Sequence, residues 1–253
     1  MPCPAEMRLL VAWAACLVWC LCWGTQAQVP VRVSLRHNWH NYSDSAAHAA
    51  PLLEMMEAAG QVWPHAFFSL VSRVWSHASA GDELKNMSYE RLYYHMEDVL
   101  RSLAVDAHDA YPESHLEEWR TLVAQHAQAA KVESYYQMFE AGSNLRSLNV
   151  PCDTFVHVNG HAYCSLPAAQ QAVQALNTSS PLLAHDHVHP SHTAPGPSLV
   201  LYADPYSTSI HEFHDMLHAL SSTSHVKYVF RWRPSVASVK PRPMSRYFSG
   251  FGT

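Results

Sequence analysis

Two sets of residues in this 253-residue chain are of types that do chemistry: the cysteines Cys152 and Cys164, and a large group of histidines. A thioredoxin-type redox pair needs Cys-x-x-Cys. A helix N-terminus then lowers the attacking thiol's pKa, and the second thiol resolves the mixed disulfide. Here eleven residues lie between the cysteines, with Asn159-Gly160 among them. If Asn159-Gly160 is a hairpin turn, Cys164 faces Phe155, and the chain must bend ahead of the strand to bring Cys152 to it. The pair is therefore predicted to be a structural disulfide stapling a hairpin. The histidines number nineteen, with clusters at His185, His187, His189, His192 and at His211, His214, His218. Imidazole is a good zinc or copper ligand, and residues four apart share a helix face. The stretch His211-Glu212-Phe213-His214-Asp215 misses the His-Glu-x-x-His pattern by one position, which leaves Asp215 where the second ligand belongs. The expectation is a solvated helix face and a polar loop, with no metal site. No Gly-x-Ser-x-Gly elbow exists to organise a hydrolase triad.

These residues need elements to hold them. Pro51 to Ala59 reads as a helix with Pro at its start, and Val62 to His77 as a stronger one with Phe67, Leu70, Val71, Val74 and Trp75 on one face. Ser79 to Asp82 interrupts. Ser88 is a predicted N-cap, followed by the stripe Leu92, Met96, Val99, Leu103. Pro112 opens the next helix, with Leu116, Trp119, Leu122 and Val123 inward. After a break near Ala130, Val132 to Phe139 continues helical. Residues 51 to 141 are thus a helical block. The period then changes: Thr154 to Val158, Asn159-Gly160, and His161 to Cys164 give a hairpin signal. A short helix follows at Pro167 to Leu176, and Leu182 to Pro197 reads as a loop. Ser198 to Tyr202 is a strand, and Thr208 to Ser221 a helix with Ile210, Phe213, Leu217 and Leu220 inward. Val226 to Phe230 is a last strand, and a strand also fits Val31 to Leu35. The polar stretch His37 to Ala50 is expected to be a loop. The closing strand-helix-strand suits a parallel crossover. The fold class is α/β, compatible with a thioredoxin-like domain carrying a large helical insertion at about 51 to 141.

The first residues read as a secretory leader. Arg8 supplies a positive n-region, Leu9 to Trp23 an apolar run too short to span a bilayer, and Thr25-Gln26-Ala27 a cleavage site before Gln28. Cys3, Cys16, Cys20 and Cys22 leave with it, so Cys152 and Cys164 remain as an even pair in an oxidising compartment. Three sequons follow, at Asn41, Asn86 and Asn177, each an expected N-glycosylation site if it lies on the surface. The net charge is -5 and no basic stripe appears, which argues against a nucleic-acid partner. No later segment is long and apolar enough for a membrane span.

The C-terminal half carries a specific resemblance. Cys152 to Gly160 with Cys164 resembles the "C…F…VNG…C" hairpin of the UDP-glucose:glycoprotein glucosyltransferases. Pro181-Leu182-Leu183 with Asp186 to Pro190 resembles their "PLL…DHIYP" loop. Leu199 to Tyr202, Glu212-Phe213-His214 and Lys227 to Arg231 match their strand-helix-strand block in order and spacing. Tyr247 to Gly252 is similar to their "YLSGYG" segment. At the other end, Val31 to Leu35 and Pro51 to Glu54 fit the family's opening, and Lys131, Glu133 and Tyr136 fit more weakly. His185 and His189 depart from the family pattern, where aromatic residues are usual, and the loop at His37 to Ala50 is longer.

The resemblance implies the first thioredoxin-like domain of such an enzyme, with a leader at 1–27, the domain at 28–233 and a tail at 234–253 leading into further domains. The full enzyme implied transfers glucose from UDP-glucose to high-mannose N-glycans of misfolded glycoproteins, with a divalent cation such as calcium. Its metal-holding Asp-x-Asp is absent here, since no two aspartates stand two positions apart. The expectation is a non-catalytic, substrate-sensing piece in the endoplasmic reticulum lumen. It would have no cofactor of its own, and its partners would be misfolded glycoproteins and the remaining domains of the enzyme. The rival expectations are a stand-alone lumenal client-binding module, a thiol oxidoreductase and a histidine-rich metal binder.

Overall fold

The structure, a computed structural model, describes residues 49–140, 150–183, 185–190, 197–223 and 226–234. The expected leader, the strand at Val31 to Leu35, nearly all of the His37 to Ala50 loop, Asn41 and nearly all of the tail lie outside them.

The helical block opens with α1 (Ala49–Val62), whose residues from Ala49 to Ala59 are all buried. A helix apolar on every side is an interior helix, and this one packs against three others of the block. The helix expected at Val62 to His77 is split. Pro64 has no amide hydrogen to continue the ladder and pushes Trp63 to φ -121°, ψ 68°. A short 3-10 turn (Pro64–Ala66) intervenes before α2 (Phe67–Val74). The interruption expected at Ser79 to Asp82 is instead the start of α3 (Ala80–Lys85), with Asp82 and Glu83 in its first turn, where carboxylates favour the helix dipole. Ser88 caps α4 (Tyr89–Asp106), its Oγ accepting from the Arg91 amide at 3.3 Å. α5 (Pro112–Ala124) follows, and α6 (Ala129–Glu140) starts earlier than expected because the break falls at His126, where φ is 51°. Phe67, Leu92, Met96, Leu116 and Trp119 are buried as the stripes require, while Val99 and Leu122 sit only half-buried at the core margin.

Among the described residues, the second half is a five-stranded mixed sheet in the order β2-β1-β4-β5-β3. β1 (Phe155–Val158) and β2 (His161–Tyr163) form the expected hairpin. Asn159 (φ 50°) and Gly160 (φ 82°) supply the two positive φ angles of a type I′ turn. After α7 (Leu166–Gln174), the stretch expected to be only loop contributes β3 (His187–Val188), antiparallel to β5. β4 (Ser198–Ala203), α8 (Ile210–Thr223) and β5 (Lys227–Trp232) complete the crossover, with β4 and β5 parallel. β3 is held by a fork: Arg231 donates from Nε and Nη2 to Asp186 at 2.7 and 2.6 Å, and from Nη1 to the Tyr202 hydroxyl at 2.6 Å.

Strand alternation divides the sheet's two faces. Val156, Leu199, Leu201, Ala203, Tyr228, Phe230 and Trp232 join the main core under the helices, whereas Phe155, Val200, Tyr202 and Val229 form a smaller cluster. One buried carboxylate links the two halves. Glu57 of α1 accepts from Trp232 Nε1 of β5 and His187 Nε2 of β3, each at 2.9 Å, and from the Tyr135 hydroxyl of α6 at 2.8 Å.

Candidate functional site

In an open α/β sheet, ligands and reactive groups sit at the carboxyl ends of the strands, where the following helix begins. A redox thiol needs that position, because the helix N-terminus stabilises the thiolate. In this fold it is the loop from Asp204 to Ser209, between parallel β4 and α8. Its residues are Asp204, Pro205, Tyr206, Ser207, Thr208 and Ser209, with neither cysteine nor histidine among them. The loop is tied to itself and to the hairpin. Asp204 Oδ1 accepts from the Tyr206 amide at 2.9 Å, and the Ser209 amide donates to Ser207 Oγ at 3.2 Å. The Asp204 amide donates to Thr154 Oγ1 at 3.2 Å. The helical block covers it: Trp75 Nε1 donates to the Pro205 carbonyl at 3.1 Å. Gly81 lies so close that a Cβ there would stand 2.6 Å from the Tyr206 carbonyl oxygen, so only glycine fits. Burial pushes the Tyr206 hydroxyl well above the usual tyrosine range, with Tyr136 and Asp204 adding to it, so the phenol stays neutral. The position where this architecture places reactive groups has no thiol; Asp204 and Pro205 are buried there, while Thr208 is exposed.

The two cysteines are elsewhere. Cys152 and Cys164 are joined in the structure, with Cα atoms 5.8 Å apart. The hairpin register pairs Val156 with Tyr163, so Cys164 lies opposite Phe155, and the chain bends through residues 152–154 to bring Cys152 across. The Cys152 carbonyl accepts from Arg233 Nη1 at 2.7 Å, just beyond β5, and the Arg233 guanidinium lies 5.1 Å from the centre of the Phe155 ring. The bridge thus fastens the hairpin's open end beside the exit of β5. Cys152→Ala is expected to remove about 2–4 kcal/mol of stability. Neither the parent nor the variant should reduce a dithiol-sensitive substrate such as insulin. Turnover in the parent that disappears in the variant would assign redox chemistry to this pair.

The histidine clusters are dispersed by the fold. His187 stacks on Phe67 with ring centres 3.6 Å apart and donates to Glu57. His185 packs edge-on to Tyr135, and burial lowers its pKa. His211 pairs with Asp215 on the outer face of α8 at 3.3 Å. His192 lies outside the described residues. His189, His214 and His218 do gather, with ring centres 4.9 Å apart between His189 and His218 and 5.8 Å between His214 and His218. Both nitrogens of His214 are occupied, however. Nε2 lies 3.0 Å from the Phe68 carbonyl and 2.9 Å from Ser72 Oγ, and Nδ1 lies 2.8 Å from the Tyr228 hydroxyl. A carbonyl only accepts, so Nε2 carries the hydrogen and Nδ1 accepts from Tyr228. An Nε2–H cannot take the Ser72 proton, so the Ser72–His214 contact is not a nucleophile and its base. Burial, reinforced by His218, lowers the His214 pKa to about 3, which keeps the ring neutral. Among the described residues no three His, Cys, Asp or Glu side chains form a metal-holding group.

A groove that no sequence pattern announced lies between α4 and α5. Tyr89, Tyr93 and Tyr94 on the first turns of α4 line it with Arg120, Val123 and Ala124 of α5, around a volume of about 270 Å³. Tyr94 is 58% exposed. The signal available was a run of tyrosines, with Tyr89 and Tyr93 at helical spacing beside Leu92 and Met96 and Tyr94 turned off that face.

No helix among the described residues is long and apolar enough to cross a membrane. The chain matches no curated protein. A family model described as a thioredoxin-like domain matches residues 49–240, which takes in the helical block, the hairpin and the parallel crossover. The hairpin, the strand-helix-strand unit and this match lead to one conclusion: the chain belongs to the thioredoxin-like domain family.

Proposed function

We infer that this is a thioredoxin-like domain without redox chemistry that binds non-native glycoproteins in the endoplasmic reticulum lumen. It serves as the sensing part of a protein that resembles the UDP-glucose:glycoprotein glucosyltransferases. The observation that carries the reading is the thiol-free loop at the carboxyl end of β4. With no thiol at that position, the tyrosine groove between α4 and α5 supports binding as the domain's role. Its rings present apolar faces with polar tips, which suit an extended segment rich in apolar and aromatic residues. UDP-glucose and a divalent cation such as calcium belong to the catalytic domain of the implied enzyme. Among the described residues no group of His, Cys, Asp and Glu could hold such a cation, and the partners of the chain are misfolded glycoproteins and the other domains of that enzyme.

The test is binding of a fluorescent peptide of alternating apolar and aromatic residues to the chain. Tyr94→Ser is expected to weaken it about five-fold or more, the effect of truncating one aromatic anchor on a recognition surface. Tyr111→Ser, at a still more exposed tyrosine outside the groove, should leave it unchanged. Equal binding by parent and Tyr94→Ser removes the groove from the reading, and UDP-glucose turnover by this chain alone overturns the non-catalytic assignment.

A further inference from the structure

The groove between α4 and α5 is aromatic, and the charges around it do not balance. On α4, Glu90 stands one turn before Tyr93 and Tyr94, and Glu97 one turn after them, so each carboxylate neighbours both rings along the helix. Two guanidiniums answer these carboxylates and two more from α5. Arg101 divides itself between Glu97 at 2.8 Å and Glu113 at 2.9 Å. Arg120, on the α5 wall of the groove, is held by Glu97 at 2.5 Å and by Glu117. Its charge is therefore spent inside the wall. Glu90 lines the groove, is exposed, and makes no ion pair among the described residues.

The rings add to the same sign of potential. Tyr93 and Tyr94 meet at 85° with centres 5.9 Å apart, which makes a corner of the two. Tyr89 lies tilted 38° to Tyr93 at 6.4 Å. The face of an aromatic ring is the negative pole of its quadrupole and attracts a cation. The phenol groups feel this field. Burial pushes the Tyr93 hydroxyl up, and Glu97 and Glu117 push it further against the opposing charge of Arg120. Burial also raises Tyr89, with the buried Glu54 carboxylate of α1 adding to it. An acidic side chain would meet Glu90 and the ring faces as like charges. A neutral apolar one would use the rings and leave the carboxylate unanswered.

We propose that the groove takes its client segment by a basic side chain, a lysine or arginine seated on the Tyr93 and Tyr94 rings beside Glu90, with the apolar and aromatic neighbours of that residue along the rest of the groove. This rests on the client-binding reading above and names the kind of segment bound. The cation meets the ring faces with its charge and Glu90 with its hydrogen-bond donors, while its aliphatic stem covers apolar surface.

The experiment measures binding of the full chain to four fluorescent peptides of alternating apolar and aromatic residues. They differ at one central position, which is lysine, trimethyllysine, norleucine or glutamate. Lysine is expected to bind about five-fold more tightly than its neutral isostere norleucine, the upper end for a cation on an exposed aromatic face. Glutamate should bind more weakly than norleucine. Trimethyllysine cannot donate a hydrogen bond and should keep the preference, because the rings respond to charge. Tyr94→Leu keeps an apolar contact and removes the ring, so it should bring lysine close to norleucine while the norleucine peptide still binds. If norleucine or glutamate binds as tightly as lysine, or the lysine preference survives Tyr94→Leu, the proposal is overturned. The client-binding reading then stands wherever the norleucine peptide still loses affinity in Tyr94→Ser. If none of the four peptides binds, that reading fails and takes the proposal with it.

Discussion

Glu57→Ala is expected to lower stability by about 3–5 kcal/mol, the range for breaking a buried ionic network from one side. Glu57 is fully enclosed and lies at the only point where α1, α6, β3 and β5 share one polar group among the described residues. Its Oε1 accepts three hydrogen bonds, and its Oε2 pairs with Lys131 Nζ at 2.5 Å. Burial works to raise its pKa, but the charges and hydrogen bonds of His187 and Lys131 overrule that and hold it at about 2. Alanine would strand the Trp232 indole N–H and the Tyr135 hydroxyl without an acceptor, and the Lys131 ammonium without its counter-charge. Glu57→Gln keeps an acceptor and a similar volume, so it should lose less. Denaturant unfolding of the parent and both variants decides the matter. A loss below about 1 kcal/mol for alanine would mean that this network does not hold the helical block on the sheet.

That network shows what a sequence conceals. Its donors are separated from Glu57 by as many as 175 positions. Nothing in the local pattern Leu53-Glu54-Met55-Met56-Glu57 distinguishes a buried glutamate from one on a solvated face. What local chemistry controls was legible. Asn159-Gly160 dictated a two-residue turn, hence the register and the need for a bend at Cys152. The apolar runs at Ser198 and Lys227 flanking an amphipathic helix dictated a parallel crossover. Pro64 carried a legible break that the strong apolar face from Phe67 to Trp75 masked. β3 was beyond reach for a different reason: two residues give no periodicity, and the strand exists because β5 offers a backbone edge and Arg231 grips Asp186. The site was half legible. The lack of Cys-x-x-Cys could be read directly. That Asp204 to Ser209 occupies the place where such a pair belongs depends on which strands are parallel and which helix follows, and that needed the fold.

Acidification should begin to destabilise this domain well before ordinary carboxylate loss begins, and His214 sets the onset. Its folded pKa is held at about 3 by burial, against about 6.5 in an unfolded chain. Below pH 6.5 the unfolded chain therefore binds a proton that the folded one refuses. The stability is fully present above that pH and falls through the window from about 6.5 to about 3, at close to 1.4 kcal/mol per pH unit. Burial lowers His157, His185 and His95 in the same direction. Glu57 adds to the loss lower down. Its folded pKa of about 2 lies below the ordinary glutamate value of 4.5, so its contribution is present above 4.5 and disappears as pH falls toward 2. Glu54 opposes them: burial raises its carboxyl despite His126, so it gains a proton more readily in the folded state. His214 and Glu57 together predict a loss on the order of 5 kcal/mol or more between pH 7 and pH 3. The check is the slope of unfolding free energy against pH between 6.5 and 5. The parent should take up about one proton or more on unfolding there. His214→Gln keeps a donor for Phe68 and an acceptor for Tyr228 without a titrating ring, so it should flatten the slope even if it is less stable at pH 7. An unchanged slope in that variant would assign the acid sensitivity to other groups. It would leave the buried imidazole as packing between Phe68 and Tyr228.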